Sequence, residues 1–117
     1  LAHNSLEPQA WADFPKGLLR GVPTVLAQAS PAQAITALQK LCHDLMAVQV
    51  GAAPRYFAAA DLPPAPPLAA LTRWSRALLQ AARTAEHPYN TGLMLEALVA
   101  QARNTLHSPS TSPSARP

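Results

Sequence analysis

The chain has 117 residues, which suits a single domain with one modest hydrophobic core. Apolar residues make up 49% of it and charged residues 13%, and nine basic against six acidic side chains give a formal net charge of +3. The basic residues form no run, so the charge gives thin support to nucleic-acid binding, and no apolar stretch approaches the roughly 20 residues of a membrane span.

The apolar residues are mostly Ala and Leu, which enter helices easily, whereas strands favour β-branched and aromatic side chains. We therefore expect an all-α fold, a bundle of about five helices over residues 1–107. Residues 108–117 are rich in Pro and Ser and are expected to form a mobile tail. The chain begins at Leu1 in mid-pattern, so we interpret it as the C-terminal part of a longer protein.

Two short helical segments are predicted first. Residues 6–20 carry an apolar pattern that predicts a helix, an interruption near Pro15 and a further turn that Gly21 can end. Residues 23–29 predict another short helix, because a proline is tolerated at the first helical position.

The best-marked helix begins at Ser30. Ser30 suits the N-cap, Pro31 the first helical position, and Gln33 completes a capping box. The helix should run to about Val50 and stop at Gly51. Its apolar residues recur every three or four positions and define one face: Ile35, Leu38, Leu41, Leu45 and Val48, widened by Cys42 and Met46.

A connector and two further helices follow. Residues 51–57 form the connector, in which Tyr56 and Phe57 are expected to anchor on the core, and residues 61–67 hold four prolines and should be extended. Helices are predicted over 68–86 and 91–106. The first should bury Leu71, Trp74, Leu78, Ala81 and Ala85, broadened by Leu68, Leu79 and Ala82; the second should bury Leu95, Leu98, Ala102 and Leu106. Between them, Pro88 ends one helix and Asn90 can cap the next, which predicts a tight corner.

No group of residues predicts catalysis. Cys42, His43 and Asp44 are the residue types of a thiol nucleophile, but neighbours on a helix point about 100° apart and cannot form a working pair. The histidines lack metal-ligand spacing, the carboxylates are isolated, and the four glycines form no phosphate loop. We expect no catalytic residue, no metal and no cofactor. The single cysteine excludes an internal disulfide and fits a reducing, cytoplasmic compartment.

Three arginines, Arg73, Arg76 and Arg83, lie on the 68–86 helix, with Arg76 and Arg83 seven residues apart and hence nearly aligned. They indicate either a solvated face, which we favour, or contact with an acidic partner or nucleic acid. Trp74 on the same helix is expected in the core.

Four stretches together resemble a known family. They read FPKGLLRG (14–21), LQKLCHD (38–44), GAAPRYF (51–57) and EHPYNTGL (86–93), the last followed by EAL (96–98). In this order and spacing they resemble the C-terminal domain of the delta prime subunit of the bacterial DNA polymerase III clamp loader, in its proteobacterial form. The likeness covers most of residues 6–106 and excludes the tail.

The resemblance implies a helical collar domain that holds five subunits in a ring during sliding-clamp loading in DNA replication. It implies as partners the other clamp-loader subunits (gamma/tau and delta), with DNA reached only through the complex and no membrane. The fragment itself would not be an enzyme, and polymerase activity would belong to the holoenzyme. The siblings gamma and tau have similar collars, so the assignment among them stays open.

A collar face without its partners should leave an apolar patch exposed. The candidate interface residues are Leu93, Met94 and Val99 on the last helix, with Arg76 and Arg83, although the core could claim the apolar ones. The alternative is a small basic helical DNA-binding domain, which the sequence pI of about 9.6 and the arginines would support.

Overall fold

A computed structural model describes residues 8–21, 23–84 and 91–108. Within these ranges the chain is helical and holds no strand, which confirms the predicted all-α bundle. The α-helices in chain order are α1 (Pro8–Gly17), α2 (Thr24–Ala27), α3 (Pro31–Gln49), α4 (Leu68–Thr84) and α5 (Thr91–Leu106), with a 3-10 turn at Ala59–Asp61. Because α2 is a single turn, the other four helices form the body of the bundle.

The helix α3 begins and ends as its sequence predicts. Ser30 Oγ accepts a hydrogen bond from the backbone N–H of Gln33 at 3.2 Å, and Gln33 Oε1 accepts one from the Ser30 N–H at 2.9 Å. At the other end Gly51 has φ +86°, a conformation that side chains with a Cβ rarely adopt. The Ala52 N–H then reaches the Ala47 carbonyl at 2.8 Å, which completes a glycine-dependent helix stop.

The core lies where α3, α4 and α5 meet, since each of these helices contacts the other two. Phe14 of α1 and Leu18, which follows α1, are also buried and belong to this core. Arg103 of α5 donates from Nε to the Leu18 carbonyl at 3.3 Å, which ties the last helix to this region. The predicted core residues Leu38, Leu41, Leu45, Leu71, Trp74, Leu78, Leu98, Ala102 and Leu106 are all buried.

The predicted break near Pro15 is wrong, because α1 continues through Pro15 to Gly17. The proline lacks the N–H of one helical hydrogen bond, but its ring is buried, so packing offsets that loss. The predicted second helix is confirmed in shortened form as α2, in which the Leu26 N–H bonds to the Pro23 carbonyl at 3.0 Å.

The buried stripe of α4 is narrower than its sequence predicts. Leu68 and Leu79 are 43% and 56% exposed, and Ala82 is exposed too. On α3, Val48 is likewise 39% exposed. Val48 and Ala82 lie in register with the buried stripe but near the C-terminal ends of their helices, so apolar character and spacing alone did not bury them.

Several predictions fall outside the described residues. They are the corner at 85–90, the start of the first helix at Leu6 and the tail from residue 109 onward. In the part of the chain that the structure describes, none of the helices has the length and apolar character needed to cross a bilayer.

Candidate functional site

The outward side of α4 carries cations beside exposed apolar side chains. Arg76 and Arg83 are exposed, and Leu79 lies between them at helical spacing. Leu68 extends the same side toward the start of the helix. We call these four residues the α4 outer face.

This face has no internal charge balance. The sequence of α4 contains no Asp or Glu, and within the described ranges no carboxylate forms an ion pair with Arg76 or Arg83. Leu79 is thus exposed beside arginines that have no carboxylate partner among the described residues, and both Arg and exposed apolar side chains are frequent in protein interfaces.

The predicted interface residues of α5 do not form a comparable surface. Val99 was a candidate for an exposed patch, but it is only 2% exposed and belongs to the core. The reason is that α5 contacts both α3 and α4, so Leu98 and Val99 can both face inward. Met94 is partly buried and packs against the core. Leu93 lies within α5, but its side chain is outside the described set.

A carboxylate that the sequence left isolated is the centre of the α3–connector junction. Asp44 is fully buried, and its two oxygens accept hydrogen bonds from three consecutive backbone N–H groups. The distances are 2.9 Å from Arg55, 2.8 Å from Tyr56 and 2.7 Å from Phe57. Asp44 therefore fixes the end of the connector on α3.

The side chains of His43 and Asp44 contact each other although they are neighbours on a helix. The His43 Nδ1 atom lies 3.1 Å from Asp44 Oδ1, so the exposed imidazole reaches the carboxylate.

The sequence carries a signal for the burial of Asp44. Asp44 follows the buried residues Ala37 and Leu41 at intervals of seven and three residues, and it therefore lies on the same face of α3.

The hydrogen bonds determine the charge state of this carboxylate. Burial by itself would raise the pKa of Asp44, but hydrogen bonds from the Arg55 backbone, the His43 side chain and the Phe57 and Tyr56 backbones outweigh it. The pKa of Asp44 therefore lies below its ordinary value, and the group stays ionised near neutral pH. A buried anion that receives three N–H groups is a structural anchor.

Cys42 has the opposite character. Its side chain is buried and the thiol donates to the Leu71 carbonyl at 3.4 Å. Burial raises the pKa of Cys42 to about 11, so the nucleophilic thiolate is scarce at neutral pH. This environment offers no support for a catalytic thiol.

The Tyr56 side chain does not anchor on the core as predicted, since the residue is 47% exposed. Phe57 takes that role alone and packs against Phe14 with ring centroids 5.8 Å apart.

Three side chains surround the exposed Tyr56 ring. The distances to the Tyr56 ring centroid are 5.5 Å from Lys40 Nζ, 5.6 Å from Arg55 Cζ and 5.4 Å from the centroid of the His43 ring. We call these four residues the Tyr56 cluster.

Comparison with protein-family models, curated proteins and solved structures finds no match for this chain. Within the described ranges, no group of three or more His, Cys, Asp or Glu side chains is placed to hold a metal ion. Two groups of exposed side chains in the described ranges combine cations with apolar or aromatic surface, namely the α4 outer face and the Tyr56 cluster.

Proposed function

We propose that this chain is a collar domain of a bacterial clamp loader, of the delta prime class, and that it works in the cytoplasm as an oligomerisation scaffold without catalysing a reaction. Four sequence stretches in family order support this proposal, and an all-α bundle is the architecture that the resemblance implies. The partners would be the gamma/tau and delta subunits, with DNA contacted only through the assembled complex.

The observation that carries the proposal is the α4 outer face. Leu79 is 56% exposed between Arg76 and Arg83 on a helix without a carboxylate. Full burial of a leucine is worth about 1.5–3 kcal/mol, and arginines at the centre of an interface are frequent hot spots. A neighbouring subunit could bury Leu79 under an apolar surface and place acidic side chains against Arg76 and Arg83.

The test is reconstitution of the parent subunit with the other clamp-loader subunits. We expect Arg76→Glu and Arg83→Glu together to reduce the yield of complete complex at least tenfold, because reversal places like charges against an acidic partner surface. Arg76→Glu and Arg83→Glu are also made singly, and Arg20→Glu is the matched control for each, since Arg20 is exposed and lies outside the α4 outer face. Assembly at wild-type yield in the double variant would exclude this face as the interface, and assembly without the whole domain would refute the scaffold role.

A second candidate function, a small basic DNA-binding domain, is favoured by one observation. Arg73, Arg76 and Arg83 are all exposed on α4, and none has a carboxylate partner among the described residues. Binding of this kind would weaken steeply as salt rises, because it releases counterions from the phosphates. Fluorescence anisotropy with labelled single-stranded and duplex DNA at low salt tests it, and the absence of any binding there would remove this candidate.

A further inference from the structure

A groove of about 490 Å³ runs between the first half of α3 and the connector. Ala32, Ala37 and Phe57 contribute apolar surface to it, and Lys40 and Tyr56 line it as well. The volume falls within the range of about 300–1,000 Å³ that is typical of ligand sites. None of the α4 outer face contributes to this groove, so it is a separate feature of the molecule.

Positive charge is concentrated beside this groove. Lys40 lines the groove, and Arg55 stands against the same Tyr56 ring. The adjacent carboxylate, Asp44, is fully buried, and its oxygens already accept backbone hydrogen bonds. It therefore leaves the outward-facing cations available to a ligand.

The walls of the groove are fixed before any ligand arrives. The capping box of Ser30 and Gln33 orders the first turn of α3, and Asp44 holds the backbone of the connector. Phe57 is held in place by its contact with Phe14. A ligand would thus not have to order the loop that it binds, which removes a common entropic cost of association.

We infer that this groove binds a short peptide segment, in which an apolar side chain packs between Ala37 and Phe57 while nearby carboxylates face Lys40 and Arg55. The apolar surface of Ala32, Ala37 and Phe57 favours the aliphatic side chain of a peptide over the charged sugar-phosphate backbone of a nucleic acid. The Tyr56 ring also has Lys40 and Arg55 within 5.6 Å of its centroid, so a stacking base would have to displace a cation. This inference stands on α3 and the connector and does not depend on the proposed function.

The experiment is selection from a random peptide library displayed on phage, with the complete chain immobilised. We expect the enriched peptides to combine at least one Leu, Ile or Phe with two or more Asp or Glu residues. A synthetic, fluorescently labelled copy of an enriched peptide is then titrated with the chain by anisotropy. We expect Lys40→Glu and Arg55→Glu each to weaken its binding about tenfold, from the loss of one ion pair and the added repulsion.

The matched control is Arg20→Glu, which makes the same charge change at an exposed position outside the groove and should leave the affinity within a factor of two. Since Lys40 and Arg55 are exposed, the variants should fold, and circular dichroism verifies this. Failure to enrich any peptide, enrichment of peptides without carboxylates, or equal binding by Lys40→Glu and Arg20→Glu would each overturn the inference. Binding of labelled oligothymidine that Lys40→Glu abolishes, without any peptide enrichment, would assign the surface to nucleic acid instead.

Discussion

Replacing Asp44 should destabilise the domain more than replacing any other described acidic residue. Its carboxylate accepts three backbone hydrogen bonds at 2.7–2.9 Å while fully buried. Hydrogen bonds to a charged group contribute about 1.5–3 kcal/mol each, which sets an upper bound of roughly 4.5–9 kcal/mol for three. Because Arg55 and Tyr56 are exposed, water can replace part of this when the carboxylate is removed. We therefore expect Asp44→Ala to lower the free energy of unfolding by about 3–5 kcal/mol.

Asp44→Asn separates charge from shape. The amide keeps one carbonyl oxygen, which can still accept from the Tyr56 and Phe57 N–H groups that share Oδ2. Its NH₂ group would then face the Arg55 N–H, which loses its acceptor. We expect a loss of about 2 kcal/mol, smaller than for alanine.

The pH dependence gives a second measure of the same anchor. The pKa of Asp44 in the folded chain lies below its ordinary value near 3.8, since its hydrogen bonds outweigh burial. A carboxylate with a lowered folded-state pKa stabilises the protein at pH values above its unfolded-state pKa, and this contribution is lost as the pH falls through the folded-state value. Stability of the wild type should therefore drop more steeply below about pH 4 than that of Asp44→Asn.

The assay is urea unfolding followed by circular dichroism at several pH values from 7 downward. Glu96→Gln is the matched control, because Glu96 is an exposed carboxylate on α5 and its removal should change stability by less than about 0.5 kcal/mol. If Asp44→Asn and Glu96→Gln showed equal stabilities and equal pH profiles, the role assigned to the buried carboxylate would be wrong.

Three further predictions follow from burial and backbone geometry. Gly51→Ala should lower the free energy of unfolding by about 1 kcal/mol in urea, because φ is +86° there. Gly21→Ala should be nearly neutral, since a Cβ added there meets no atom within 4 Å, and equal effects of the two changes would contradict the helix-stop assignment. Val99→Ala should lower the free energy of unfolding by about 1–3 kcal/mol and Leu79→Ala by less than about 0.5 kcal/mol. A larger loss for Leu79→Ala than for Val99→Ala would contradict the burial of Val99 and the exposure of Leu79. Cys42, with a pKa near 11, should react with iodoacetamide at pH 8 far more slowly than a free thiol and become reactive in denaturant, as mass spectrometry can follow; fast labelling of the folded chain would refute its burial.

Much of the fold was predictable because residues close to the ends of a helix determine where that helix begins and ends. Ser30, Pro31 and Gln33 specify a helix start through nearest neighbours in sequence, and Gly51 specifies a stop through its own backbone freedom. Those signals need no tertiary information, so the sequence places α3 to within a residue. Pro15 misled the prediction because its local preference is overridden by burial, which depends on parts of the chain distant in sequence.

The exposed surfaces were harder to predict, because exposure depends on which neighbours each helix has. Leu79 and Val99 are both apolar residues beside a helical stripe, yet one is 56% exposed and the other 2%. Both α4 and α5 contact two other helices, so the side of the stripe that becomes buried depends on where those neighbours lie, and periodicity within one helix does not report that. Likewise, Asp44 could be placed on the buried face of α3 by its register, but its partners 11 to 13 residues further along required the path of the connector.

Two of the stretches that carry the family resemblance turn out to be joined by one side chain. Asp44 ends LQKLCHD, and the N–H groups it binds belong to Arg55, Tyr56 and Phe57 at the end of GAAPRYF. The fold thus uses the two stretches together: the first ends with the aspartate that accepts, and the second ends with the three backbone N–H groups that donate. These two stretches therefore share one contact that builds the domain. The α4 outer face lies outside all four stretches, so under the proposed scaffold role substitutions there should affect assembly and leave folding unchanged.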